Sequence, residues 1–245
     1  MYLKSPEGLI LGLISVAFVQ LCIVIPYYWL IRNDYIKRPS IHQLKNKDKV
    51  PVSFMEDLKK HLTNPEGFLL LSVYLSGTWI FGLMPNSYYL VWDSKCCYVD
   101  VLLQLLINDF YQTIAHIFEH KIKKIYRYSH KSHHKHIRPT LFDAFDGGFL
   151  DTMFMILIPL YFTQLTMEYV FKRDVSVWSY MTFGSIYANY LCLIHSEYEH
   201  PWDWFFTKLG IGTPADHHQH HKLFNKNYGH IFMYWDKILG TYIRA

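Results

Sequence analysis

Cysteine and charge are both scarce in this chain of 245 residues. Its four cysteines are too few and too scattered for a disulfide framework, and we expect Cys22 and Cys192 to pack as small hydrophobic residues in apolar stretches. Charged residues make up 18% of the chain, whereas 51% of its residues are hydrophobic. The sequence shows no internal repeat and no low-complexity tract. A fold held together by disulfides is therefore excluded.

Apolar residues are concentrated in five long stretches with few charges. These are residues 9–31, 67–92, 98–115, 149–171 and 177–194. Because about 20 apolar residues cross the hydrocarbon core of a bilayer as a helix, we predict an all-α integral membrane protein with four to five transmembrane helices. The first stretch is too long for a signal peptide and lacks a small-residue cleavage site, so we expect a signal anchor.

The basic residues are distributed unevenly between the segments that connect these stretches. If the helices alternate in direction, segments 32–66, 116–148 and 195–245 share one face, and they hold 20 of the 24 Lys and Arg residues. All 15 histidines fall on the same face. The positive-inside rule makes this face cytosolic. Membrane orientation and anionic lipid account for the basic surface, so we expect no nucleic-acid partner.

Nine histidines form a pattern that is typical of a metal centre. They comprise an HxxxH pair, two HxxHH clusters and one single histidine: His116, His120, His130, His133, His134, His195, His217, His220 and His221. A helix brings residues i, i+3 and i+4 onto one face, so we expect each cluster to lie on a helix and to aim its imidazoles at one point. Nine imidazoles exceed the needs of one tetrahedral zinc. We therefore predict two metals in a cytosolic, histidine-rich cap; imidazole suits iron, zinc, copper and nickel.

Asp109 is an ionisable residue inside a hydrophobic stretch. It precedes His116 by two helical turns and lies on the same face. Ionisable groups within membrane helices are costly and usually functional, so we expect Asp109 to orient a ligand histidine or to close a substrate channel. A structural alternative is a hydrogen bond between helices, to Tyr111 or Asn189.

Glu199 follows His195 by four residues, so it could complete the ligand set or hold a ligand imidazole through a hydrogen bond. His218 shares the third cluster but does not fit its spacing, and we expect it not to be a ligand. The remaining histidines are expected to be ordinary polar residues of the surface or core: His42, His61, His136, His200 and His230.

Three other interpretations compete with a two-metal enzyme. Residues 116–120 match H-x-x-E-H, the inverted zinc-protease signature, with Glu119 as base and Glu197 as a third ligand; that interpretation leaves both HxxHH clusters unexplained. A membrane zinc transporter would place ligands near the midplane of several helices, where only Asp109 qualifies. The complete histidine set argues against a non-catalytic scaffold.

Beyond its histidines, the sequence resembles the fatty acid hydroxylase superfamily, which includes sterol desaturases and sterol hydroxylases. The resemblance covers residues 98–243. It is carried by the segments NDFYQTIAHIFEH, HKSHHKHIRPT, HSEYEHPW, TPADHHQHHKLFNKNYG and WDKILGTY. It divides the chain into membrane anchor helices with a basic connector, residues 1–97, and a catalytic domain, residues 98–245.

The resemblance implies an O2-dependent, non-haem di-iron lipid oxidase of the endoplasmic reticulum membrane, with all nine histidines as iron ligands. Zinc could replace iron in purified material. The chain has no haem, flavin or ferredoxin motif, so the resemblance implies an external electron donor such as cytochrome b5 with its reductase, for which the basic face would suit docking. A C-5 sterol desaturase is our first expectation. A sterol C-4 methyl oxidase, a sterol hydroxylase and a fatty acid or sphingolipid hydroxylase remain open.

Overall fold

The computed structural model describes residues 7–36, 53–92 and 94–245. Residues 37–52 of the basic connector, including His42, lie outside these ranges. Ten helices are labelled here: α1 Glu7–Arg32, α2 Phe54–Thr63, α3 Phe68–Ile80, α4 Tyr98–Lys121, α5 Lys123–Tyr128, α6 Phe149–Val170, α7 Val177–His195, α8 Asp203–Leu209, α9 Pro214–Leu223 and α10 Tyr234–Leu239. Short 3₁₀ helices lie at Asn86–Tyr89, His133–Lys135 and Leu141–Phe145. The described ranges contain no strand, and the all-helical prediction is confirmed for them.

Two helices of the described ranges are long and apolar enough to cross a membrane, Leu9–Arg32 within α1 and Phe149–Val170. α1 also exposes a series of large apolar side chains along its length, as a lipid-facing helix does. The predicted stretch 67–92 is not one helix. α3 ends at Ile80, and the chain turns through Gly82 at a φ of 63°, a conformation that glycine adopts without strain.

α1 packs closely against α3. A Cβ atom at Gly12 would lie 2.9 Å from the Cα atom of Ser76, so the backbones approach each other where α1 has no side chain. α1 also contacts α7, and α4 contacts both α6 and α7. α2 lies in the part of the connector that the structure describes. It begins with a capping box in which Ser53 and Glu56 exchange hydrogen bonds.

α6 is interrupted by a π-helical segment, Met153–Leu157. A π turn shifts the helical hydrogen-bond pattern and frees carbonyl groups for other partners. The carbonyl of Met155 accepts a hydrogen bond from the buried side chain of Gln112, at 3.0 Å. Further polar contacts join the same two helices, from Gln164 to Gln104 and from Thr163 to Asn108. α6 thus provides hydrogen-bond partners for three polar side chains of α4, Gln104, Asn108 and Gln112.

Residues 171–176 connect α6 to α7. The C-terminal tail then returns over the histidine-bearing ends of α4 and α7. Asp236 holds the tail in shape, because its carboxylate accepts hydrogen bonds from the backbone N–H groups of Tyr228 and Gly229 and from the hydroxyl of Thr241. Asn227 binds the carbonyl of Asp216 at 3.0 Å and so connects this loop to α9. Asp236 and Asn227 therefore hold the loop that follows the last histidine cluster.

Candidate metal centre

The structure brings all nine predicted histidines together. They come from the end of α4, the turn after α5, the last residue of α7, and α9. Within the described ranges their ligand atoms form two groups, each with all of those atoms inside 4.8 Å of one another. The first group contains His116, His120, His130, His134 and His220; the second contains His133, His195, His217 and His221.

Within each group the Nε2 atoms face one another. In the first group the His116–His130 and His120–His134 pairs of Nε2 atoms are 3.0 Å apart, and His220 lies 3.1 Å from His134. In the second group the corresponding distances are 3.1 Å for His133–His195, 3.0 Å for His195–His217 and 3.1 Å for His217–His221.

These spacings fit imidazoles that share a metal ion. A transition metal binds imidazole nitrogen at about 2.1 Å, so two such nitrogens at a right angle are about 3.0 Å apart. Burial, together with the neighbouring imidazoles, lowers the pKa of His133, His217 and His221 well below the usual value for histidine. These rings are therefore neutral at pH 7, and neutral imidazole is the form that binds a metal.

The spacing had suggested that each HxxHH cluster aims its imidazoles at one point, and the structure shows that neither cluster does. His133 belongs to the second group and its neighbour His134 to the first. α9 divides its histidines in the same way, with His217 and His221 in the second group and His220 in the first. Each HxxHH cluster therefore supplies both groups and joins them.

The prediction of a helix through the middle cluster was wrong. α5 ends at Tyr128, His130 lies in a turn, and a 3₁₀ helix of three residues carries His133. The hydroxyl of Ser129 donates a hydrogen bond to the carboxylate of Glu119, which draws the turn toward α4. The turn lets rings from consecutive residues diverge toward both groups.

Backbone carbonyls hold three of the ligand candidates from behind. The Nδ1–H groups of His116, His195 and His220 donate to the carbonyls of Tyr228, Leu191 and Lys226, each at 2.7 Å. A proton fixed on Nδ1 leaves the Nε2 lone pair directed into the group. Two of these carbonyls come from the tail loop, so the loop orients ligand candidates of the first group.

Two buried carboxylates, whose roles the sequence did not indicate, support His130. Asp151 accepts a hydrogen bond from its Nδ1 atom at 2.6 Å, and Glu119 lies 3.6 Å from the same nitrogen. Burial, and secondarily the neighbouring carboxylate of Asp151, raises the pKa of Glu119 to about 9. Glu119 lies beside a ligand candidate, His130. The protease interpretation had instead assigned Glu119 as the catalytic base.

Asp109 does not touch the nine histidines. Its fully buried carboxylate accepts hydrogen bonds from the backbone N–H groups of His230, Ile231 and Phe232, at 3.3, 2.8 and 2.9 Å. The structural alternative named the wrong partners, because Tyr111 pairs with Thr166 and Asn189 binds the carbonyl of Ser185. Asp109 holds the tail loop against α4.

The ring of His230 lies between the two groups. It stacks on His116 of the first group, with ring centroids 5.1 Å apart and planes at 22°, and it lies 5.1 Å from His217 of the second. The sequence offered no sign of this position, because His230 stands alone between apolar residues.

The structure does not bring Glu199 to the centre. Its side chain is exposed and lies outside both groups, so the expectation that it completes the ligand set is not supported. The buried acid of this segment is Glu197, which accepts a hydrogen bond from the backbone of Leu141 at 3.0 Å. His218 also lies outside both groups, as expected; its Nε2 atom is 3.5 Å from the carbonyl of His195.

A mostly apolar cavity lies between α1, α3, α6 and α7. Leu191 lines the cavity, and its carbonyl binds Nδ1 of His195. The cavity therefore begins one helical turn, about 6 Å, from the second group.

The decisive comparison concerns the part of the chain that carries the histidines. The family model for fatty acid hydroxylase matches residues 101–241, a range that includes all nine. The chain belongs to the fatty acid hydroxylase family. Members of this family are oxidoreductases: hydroxylases, desaturases and monooxygenases.

The names of several curated relatives refer to squalene or to sterols. An alternative squalene epoxidase of Phaeodactylum tricornutum is 44% identical over 97% of this chain and 66% of its own length. A putative methylsterol monooxygenase of Dictyostelium discoideum is 31% identical over 64% of this chain and 53% of its own. A Delta(7)-sterol 5(6)-desaturase of Gibberella zeae is 32% identical over 57% of this chain and 36% of its own length.

The chain thus spans just under two thirds of the first of these relatives, and about half or less of the other two. No solved structure matches the chain.

Proposed function

We propose that the chain is an O2-dependent oxidase that holds two iron ions, one in each group of histidines. The Nε2 spacings, the neutral state of the buried rings and the fixed Nδ1 protons support this assignment. Bound iron would supply the redox chemistry that activates O2. The surrounding residues would orient the ligands, keep the site dry and hold the substrate beside it.

We propose squalene, an unsaturated hydrocarbon with no polar group, as the substrate. The observation that carries this proposal is the extent of the likeness. The relative named as a squalene epoxidase aligns with 97% of the chain, whereas the two sterol enzymes align with 64% and 57%. The longer alignment takes in α1 and α3, and both helices line the apolar cavity.

The proposed reaction inserts one oxygen atom of O2 into a carbon–carbon double bond. The other oxygen atom leaves as water, and two electrons and two protons from outside the substrate complete the balance. No hydrogen is removed from the substrate, in contrast to desaturation. The cavity lining would position one double bond near the second group, about one helical turn beyond Leu191.

The electrons would come from a separate donor, for which we propose a cytochrome b5-type protein and its reductase. We place the chain in the endoplasmic reticulum membrane with the histidines on the cytosolic side. The concentration of basic residues on the connecting segments of that side supports both the orientation and an acidic donor. Protease protection of tags placed at residue 136 and in the turn after α6 would test the orientation.

A sterol desaturase, hydroxylase or C-4 methyl oxidase is the second candidate. It is favoured by the names of relatives that match the histidine-bearing region. A C-5 desaturase would remove two hydrogens from a sterol ring, so its product carries no oxygen from O2. A sterol hydroxylase or C-4 methyl oxidase would instead place oxygen from O2 on the sterol, so the candidates differ in which substrate is consumed and, for the desaturase, in the isotope content of the product.

The experiment uses membranes from cells that express the full chain, supplied with NADPH, donor proteins and ¹⁸O2. We expect squalene to yield an epoxide with one ¹⁸O atom, and Delta(7)-sterol to remain unchanged. The variant H133A serves as the inactive control. A new ring double bond in the sterol, with squalene unconsumed, would replace the proposal with the second candidate.

A further inference from the structure

Gly184 occupies a special position in the apolar cavity. It lies on the face of α7 that lines the cavity, between Tyr180 on one side and Ala188 and Leu191 on the other. A Cβ atom built at Gly184 meets no other heavy atom of the described structure within 4 Å. This glycine therefore leaves open space inside the helix bundle. Protein interiors are otherwise closely packed.

The cavity extends along α7 in one direction from the metal centre. From Leu191 to Tyr180 the helix rises about 16 Å, and from Leu191 to Gly184 about 10 Å. Tyr180 lies at the far end, where Tyr74 and Leu160 join it; these three residues also line a second cavity with polar residues at its edge. Gly184 thus separates a near part of the cavity from a far part.

The lining of the cavity is mostly apolar. Its polar side chains include His61 and Gln20, which hydrogen-bond to each other at 3.1 Å. Around Gly184 the lining is formed mainly by Phe183, Tyr187 and apolar residues of α6. A ligand beyond Gly184 would therefore be an unsubstituted hydrocarbon chain.

We propose that Gly184 determines the length of hydrocarbon chain that the site accepts. With glycine, a long isoprenoid chain passes position 184 and fills the far part of the cavity while one end lies near the second group of histidines. A larger side chain would close the far part and leave the near part for shorter chains. This inference rests on the proposed function for its substrate class.

Gly77 provides a matched control. It too has no heavy atom within 4 Å of a Cβ position, but it does not line the cavity. A Cβ atom therefore has room at either position. G184L and G77L therefore carry the same change in helix propensity and side-chain size, and they differ in whether the cavity is filled.

The experiment measures binding and turnover separately on the purified full chain. Tritiated squalene and tritiated farnesene, a shorter isoprenoid hydrocarbon, are bound to the wild type, G184L and G77L; squalene epoxide is measured in parallel. We expect G184L to lose squalene affinity about tenfold or more, since leucine and the hydrocarbon chain would compete for the same volume, while farnesene binds all three alike. Equal squalene affinity in G184L and the wild type would overturn the inference.

The two proposals fail in different ways. A wild type that makes no epoxide, with binding still dependent on length at position 184, would refute the proposed function and leave the inference standing. Epoxide formation that G184L does not reduce, with unchanged squalene binding, would refute the inference alone. Loss of both ligands in G184L with G77L normal would contradict length selection.

Discussion

His133 and His134 are neighbours in the chain, yet their imidazoles belong to different groups of histidines. Their ring centroids are 5.8 Å apart and their planes are nearly perpendicular, at 86°. His134 faces His120 and His220, whereas His133 faces His195. One short 3₁₀ helix therefore connects the two proposed metal positions, and a change there affects both.

Replacing either member of this pair by alanine should remove activity. Each of H133A and H134A takes one ligand from a different metal, and the proposed reaction needs both metals together. We expect each single variant to lose squalene epoxidation at least about a thousandfold, and the double variant to be no worse than either, because residues that act as a unit are not additive. Kinetics in membranes with matched expression levels would measure this. Additive losses would argue for two independent sites.

Asp151 should matter for metal retention because it fixes the ring of His130. In D151N the carboxyl group that binds Nδ1 of His130 becomes an amide of the same size, and such supporting partners typically contribute about 10–100-fold in metal affinity. We expect D151N to release metal to a chelator about 10–100 times faster than the wild type. D146N is the control, since Asp146 pairs with Lys60, Lys135 and His136, none of which belongs to the two groups. Equal release from D151N and D146N would count against this role.

Asp109 should stabilise the fold through the tail loop. In D109A three buried N–H groups lose their acceptor, and each such loss costs about 1–3 kcal/mol. We expect the free energy of unfolding to fall by about 3 kcal/mol or more, with a smaller fall in D109N, which keeps an acceptor oxygen. Thermal unfolding in detergent would measure the difference. Y111F, which loses a single hydrogen bond to Thr166, is the control; if it is destabilised as much as D109A, the assignment is wrong.

Glu199 and His218 should be dispensable for metal binding. Glu199 is exposed and His218 lies outside both groups. E199A and H218A are expected to keep the metal content of the wild type and its rate of epoxide formation within about twofold. Metal analysis and kinetics of the two variants test this together. A loss of metal from E199A would restore it as a ligand.

The sequence predicted which histidines come together, but not how they are divided between the two groups. Histidine spacing identified all nine members of the two groups, because imidazoles rarely cluster at such spacings except around a metal. The division of each HxxHH cluster between the groups depends on a turn after Tyr128 and on the direction of α9, which local spacing does not encode.

Long-range contacts account for most of what the sequence did not predict. Asp151 reaches His130 only because α6 begins beside the turn, and His230 reaches both groups only because Asp109 holds the tail loop. The helices themselves were easier to predict, since apolar runs mark them. Residues 67–92 are the exception, because a turn at Gly82 divides a stretch that is apolar throughout.

The most direct test of the two-metal account is the metal content of the purified full chain after growth with iron. Metal and protein are quantified on the same sample by mass spectrometry and amino-acid analysis, for the wild type and for a variant with His195, His217 and His221 replaced by alanine. The account predicts about two metal ions per wild-type chain and about one in the variant, in which the first group is intact. A single metal ion in the wild type, or none lost in the variant, would contradict it.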